Sequence, residues 1–169
     1  IPDIVVQMNI SGIDAPMMNF DEIKENGPQI YEPPVNTIDK VTASAKFIKR
    51  LTYIEMLRDT KNKDTYGYIN IPNSQISYPM VQCADNDYYL THTFQRGENS
   101  AGALFLDQAT TNPFENYNTI IHGHNMKNGT MFADITDYVD QEFYEQHPEA
   151  LLLTPQGNYK VKIFSCYIT

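Results

Sequence analysis

Tryptophan is absent, cysteine occurs twice, and Lys plus Arg number 12 against 21 Asp plus Glu; each scarcity removes a class of answer. The resulting net charge of -9 excludes a surface built for phosphate, because nucleic-acid binding requires Lys and Arg to displace the counterions. Nothing basic stands out except residues 40–63. Two cysteines, Cys83 and Cys166, suffice for one disulfide but are too few for a stapled scaffold, and they decide no compartment. No apolar run approaches the roughly 18 residues of a membrane span, and no signal peptide is visible. The first residue is Ile1 rather than Met, so an N-terminal signal or anchor trimmed from the chain is an expectation.

What is present is ordinary globular material: 41% hydrophobic and 20% charged residues over 169 positions, enough for one domain with a real core. Twelve Tyr and eight Phe lean towards β structure. Residues 1–39 are acidic, broken by prolines and closed by Pro33-Pro34, which reads as an extended arm or linker. From Asp39 to Thr60, Phe47, Ile48, Leu51, Ile54 and Leu57 recur at three- and four-residue spacing, the mark of an amphipathic helix.

Beyond Asp64 the period shortens. Strands are expected over 66–71, 75–82, 101–107, 117–124, 150–155 and 159–169, with Pro79 placing the second at an edge or bulge. Residues 129–148 read as helical, capped at Thr136 or Asp137 and stopped by Pro148. The class is mainly β with helices (α+β), a barrel or sandwich, and the last strand runs into Thr169 with no closing element.

The chemistry concentrates in "IIHGHNMKNGTMF", residues 120–132. His122 and His124 are two apart, so on a strand they share a face. A zinc site needs further ligands; His92, His147, Cys166 and nearby carboxylates are available, none at a recognisable ligand spacing. Asn125, Asn128 and Gly129 supply turn chemistry, which places His124 where a strand gives way to a loop and where a histidine can act as general acid or base.

The stretch "GYINIPNSQISYPMVQCADNDYYLTHTF", followed by "AGALFLD", "NTIIHGHNMKNGTMFADITDY", "FYEQHPE" and "YKVKIFSCYIT", resembles the class B sortases, cysteine transpeptidases of the Gram-positive cell surface. The resemblance runs from about Asp64 to Thr169 and leaves residues 1–39 uncovered. It implies a sortase-type β-barrel within a domain over 40–169, with an N-terminal helix about 40–60 and an incomplete barrel about 64–169. It implies further that His124 is the catalytic histidine, that His122 is its neighbour where the family often has Tyr, and that Asn86 and Leu90 line the groove for a sorting-signal peptide. The nucleophilic Cys of a TLxTC-type strand and an Arg on the next strand are then expected beyond Thr169.

Cys166 lies in "IFSCYIT", which resembles an earlier family strand, so a buried structural role is expected for it rather than nucleophilic attack. The implied activity joins a surface protein to a cell-wall or pilin amine at the extracellular face of the membrane, without metal or cofactor. A second chain or a domain swap completing the barrel is a further expectation. Two other readings stay open: a non-catalytic binding module on the sortase fold, and a metal-dependent hydrolase using His122 and His124.

Overall fold

The computed structural model describes residues 3–8, 53–115 and 118–166. Its frame is one seven-stranded sheet of order β1-β5-β4-β3-β2-β6-β7. The strands are β1 (Asp3–Met8), β2 (Thr65–Asn70), β3 (Ser77–Val81), β4 (Leu104–Leu106), β5 (Thr119–His124), β6 (Glu149–Leu153) and β7 (Asn158–Lys162). The neighbours pair antiparallel except β3 and β4, which run parallel. Helix α1 (Tyr53–Thr60) precedes β2, and a 3-10 helix (Ala133–Val139) leads into α2 (Gln141–Gln146) before β6. This is the mainly β class with helices, and the sheet forms a curled half-barrel.

The period-two alternation of the strands divides the core between the two faces of the sheet. Ile69, Met80, Leu104, Leu106, Ile121 and Leu152 point to one face, where Phe132, Phe114 and Tyr138 complete the main cluster. Their neighbours Tyr68 and Leu153 point to the other, against Ile54 and Leu57 of α1, while Val81 and Phe105 pack there with Tyr89. The spacing of Ile54 and Leu57 is what the amphipathic pattern requires, and α1 accounts for the last eight residues of the expected helix. The remainder of that helix lies outside the described residues.

Three local expectations are corrected. Strand β3 is internal, between β2 and β4, rather than at an edge. Pro79 is tolerated because β4 pairs only with Met80 and Val81, and the register shift falls instead in β2, between Thr65 and Gly67. The helix within 129–148 is capped by neither Thr136 nor Asp137: the Asp140 carboxylate accepts the N–H groups of Glu142 and Phe143 and caps α2, after a separate 3-10 segment. Strand β7 ends at Lys162, short of the expected 159–169. Within the stretch read as an arm, β1 is extended and pairs with β5 in the register Asp3 to His124 and Met8 to Thr119.

Asn62 fastens the end of α1 to the segment bordering the histidines. It is 3% exposed, and its Nδ2 donates to the Tyr89 hydroxyl and to the Phe94 carbonyl, both at 2.8 Å. Its Oδ1 accepts from the Asp64 N–H at 3.0 Å and from Arg96 Nε at 3.3 Å. Asn62→Ala strands these partners and is expected to cost about 2–4 kcal/mol. The check is the urea midpoint at constant m-value; a change under about 0.5 kcal/mol contradicts the assigned role.

Candidate active site

Strand β5 explains why a glycine separates two histidines. Thr119, Ile121 and Gly123 are buried, and Ile120, His122 and His124 alternate with them. Gly123 faces the main core so closely that a Cβ there would lie 2.4 Å from Leu104 Cδ2 and 2.7 Å from Phe132 Cδ2. The histidines therefore stand on the opposite face, the one carrying Phe105 and α1. Immediately after His124 the chain folds back: Asn125 and Met131 form a bridge, Phe132 N–H donates to the His124 carbonyl at 3.0 Å, and Gly129 takes a φ of 79°. The turn residues read from the sequence do this, and they fix His124 at the mouth of a loop.

His124 Nε2 lies 2.7 Å from the carbonyl oxygen of Leu90. A carbonyl only accepts, so Nε2 carries the proton of this bond. Leu90 ends the 3-10 turn Tyr88–Leu90, and this turn is seated on Gly102, whose φ of +61° and 2.9 Å approach of a notional Cβ to the Leu90 oxygen leave room only for glycine. The sequence thus brings His124 and Leu90 together through a backbone carbonyl, while the Leu90 side chain packs against the Val81, Tyr89 and Phe105 cluster.

His122 and Asn86 meet at a residue that the sequence reading missed. Asp107, just after β4, presents Oδ2 to His122 Nε2 at 3.0 Å and to Asn86 Nδ2 at 2.9 Å. Its Oδ1 accepts the Ala109 N–H at 2.8 Å, and the His122 ring stacks on Phe105 with centroids 4.9 Å apart. A lone Asp after "LFL" carried no signal of this, because the contact exists only once β4 and β5 pair Phe105 with His122.

The Ala109 N–H, together with His122 and Asn86, holds the Asp107 carboxyl below the usual carboxylate range against the opposing effect of burial. Because the folded-state value is the lower one, the stability it contributes is complete above the unfolded value of about 4 and is lost as pH falls through the folded value. Asp107→Asn is therefore expected to flatten the acid limb of stability. Urea midpoints at about pH 5 and about pH 3 test this, and an equal fall in both proteins removes Asp107 from the acid response.

The other candidates are engaged elsewhere. His92 stacks on Tyr88 at 4.1 Å with Nδ1 2.9 Å from the Tyr88 carbonyl. His147 is buried, with Nδ1 2.8 Å from the Phe143 carbonyl and Nε2 3.1 Å from that of Asn73. Among the described residues no three His, Cys, Asp or Glu side chains converge as metal donors, so the metal-hydrolase reading has no donor set here. Burial pushes the Cys166 thiol up; it packs beside the main core and lies 3.5 Å from the Ile135 carbonyl. The Cys83 thiol is likewise raised by burial and donates to the Asp85 carbonyl at 3.1 Å. Neither has the environment that produces a reactive thiolate.

Sortase B of Listeria monocytogenes is 45% identical to this chain over 115 residues, 67% of the chain and 47% of that protein. The solved Staphylococcus aureus sortase B–substrate complex matches with a TM-score of 0.62 at 33% identity, over 66% of this chain and 51% of that one. The chain is related to the class B sortases. A further sortase B structure, complexed with triglycine, matches with a TM-score of 0.61 at 34% identity, over 66% of this chain and 51% of that one. No protein-family model matches. The chain spans about half the length of the curated sortase B relatives it matches. Among the described residues no helix is long and apolar enough to cross a membrane.

Proposed function

We propose that the whole protein is a sortase-type cysteine transpeptidase that cleaves a sorting-signal peptide and transfers the acyl part to a cell-wall or pilin amine at the extracellular face of a Gram-positive cell membrane. The observation that carries this reading is the 2.7 Å contact of His124 Nε2 with the Leu90 carbonyl. It joins the proposed acid to the turn proposed to line the peptide groove. Asn86, one turn earlier, belongs to the same wall. The solved relatives bearing a substrate and triglycine support a peptide donor and an amine acceptor.

In the reaction, a cysteine thiolate attacks the scissile carbonyl and forms a C–S bond. An Arg beside it steadies the oxyanion. The C–N bond then breaks, and the imidazolium of His124 gives its proton to the leaving amine. The acceptor amine attacks the thioester, the thiolate departs, and the amine's proton passes to the now neutral imidazole. The raised thiols of Cys83 and Cys166 suit neither the attack nor the departure. The reading expects the nucleophile and its Arg partner outside these 169 residues, as the resemblance to the class B sortases implies.

The test is to trap the thioacyl adduct on the whole protein with a sorting-signal peptide and map it by peptide mass spectrometry. The adduct is expected on a cysteine other than Cys83 and Cys166. An adduct on either of those two overturns the assignment.

A further inference from the structure

The Asp107 side chain hydrogen-bonds both Asn86 and His122, and its own position is set from several directions. Its Oδ2 takes two donors, His122 Nε2 and Asn86 Nδ2. Its Oδ1 takes the Ala109 N–H. Its carbonyl oxygen accepts Gln82 Nε2 at 3.1 Å, and the same Gln82 amide nitrogen reaches the Thr110 carbonyl at 2.9 Å. Asn86 is closed from its other end, where Oδ1 accepts the Gln108 N–H at 2.8 Å. The side chains of His122 and Asp107 are each 19% exposed, so this junction is largely but not wholly shielded from water.

A carboxylate that accepts at both oxygens has two structural consequences. It fixes the Asn86 amide, with Nδ2 inward on Asp107 and Oδ1 on Gln108. It also sets the His122 tautomer, because an ionised carboxylate accepts only: Nε2 must carry the proton, and Nδ1 of the neutral ring is the acceptor. On the strand, His122 and His124 share one face two residues and about 7 Å apart, a spacing that one extended peptide can span.

Resting on the transpeptidase reading, we infer that Asp107 is a positioning residue for the peptide groove: it orients Asn86 and His122 as a single polar unit that binds the peptide beside His124. It touches neither the scissile bond nor the proton that is transferred. Its effect therefore belongs to peptide binding, with the chemical step left to His124 and the thiolate.

Asn at position 107 cannot reproduce the arrangement. One of its two terminal atoms is an NH2, so either the Ala109 N–H or the His122 and Asn86 donors lose their acceptor. In the whole protein, Asp107→Asn and Asn86→Ala are each expected to raise the KM for a sorting-signal peptide about tenfold while kcat changes less than about threefold, the pattern of lost uniform binding. The double variant is expected to be no more than about threefold worse than either single variant, because both remove one unit. Multiplication of the two effects to about a hundredfold, or a fall confined to kcat, overturns the inference.

A second readout does not require turnover. Nitrogen-15 spectra of the imidazoles are expected to show neutral His122 as the Nε2–H tautomer in the unaltered protein and as a mixture in Asp107→Ala, which removes both acceptor oxygens. An Nδ1–H tautomer in the unaltered protein, or an unchanged tautomer in the variant, contradicts the role of Asp107. Failure of all forms to cleave peptide, with the tautomer change present, contradicts the transpeptidase reading and leaves the positioning geometry standing.

Discussion

Replacing His124 with alanine in the whole protein is expected to lower kcat/KM for peptide cleavage by about a hundred- to ten-thousandfold, the range for loss of a positioned general acid. In the proposed reaction the leaving group of the first step is an amine, which departs from the tetrahedral intermediate only after gaining a proton. Among the described residues the other imidazoles are held in different settings: His92 is stacked on Tyr88, His147 is buried against the Phe143 and Asn73 carbonyls, and His122 Nε2 is paired with the Asp107 carboxylate. Removal of the ring also frees the Leu90 carbonyl, so part of the loss comes from a loosened 88–90 turn. Measuring the urea midpoint alongside activity separates the two contributions. A loss below about threefold with an unchanged fold contradicts His124 as the acid.

The second large effect is structural and acts through the same strand. Gly123→Val is expected to destabilise the protein by about 3 kcal/mol, at the upper end of the cost of overpacking a core. Even its Cβ would stand 2.4 Å from Leu104 and 2.7 Å from Phe132, and the two methyl groups add to that conflict. The Phe132 ring cannot yield freely, since it is fully buried and its own N–H is bonded to the His124 carbonyl. Relief must come from movement of β5 away from the core, which displaces both histidines from Leu90 and Asp107. The urea midpoint and peptide cleavage should therefore fall together. An unchanged midpoint means that Gly123 does not pack against Leu104 and Phe132.

Much of this arrangement is legible in the sequence because it is local. Alternation in "NTIIHGH" gives the strand and puts the histidines on one face, and the Asn and Gly residues that follow give the turn. Ile54 and Leu57 give the buried side of α1. The illegible parts are those made by distant partners. Pro79 reads as an edge because proline lacks an N–H, but an internal strand admits it where its neighbour is only two paired residues long. Asp140 is an ordinary N-cap that was hidden because the apolar spacing of 129–148 ran through two separate segments. The pairing of β1 with β5 links residues more than a hundred positions apart, and no periodicity announces it.

The site divides in the same way. The resemblance supplied His124, Asn86 and Leu90; the fold brings the Leu90 carbonyl to His124 directly and Asn86 to His122 through Asp107. It did not supply Asp107, whose importance arises from what it touches: an acidic residue after an apolar run is most often a turn former. Nor does a residue name convey that Leu90 meets His124 through its carbonyl while its side chain helps fill the core.

Transpeptidation by the whole protein tests the proposed role of His124 most directly. With a sorting-signal peptide and triglycine as acceptor, the expected result is a new amide product whose mass is the cleaved acyl fragment plus triglycine less water. It should form equally in the Cys83→Ser/Cys166→Ser double variant and disappear in His124→Ala. Peptide binding without any cleavage or amide product, or cleavage that survives His124→Ala and stops on adding a metal chelator, would contradict the transpeptidase reading.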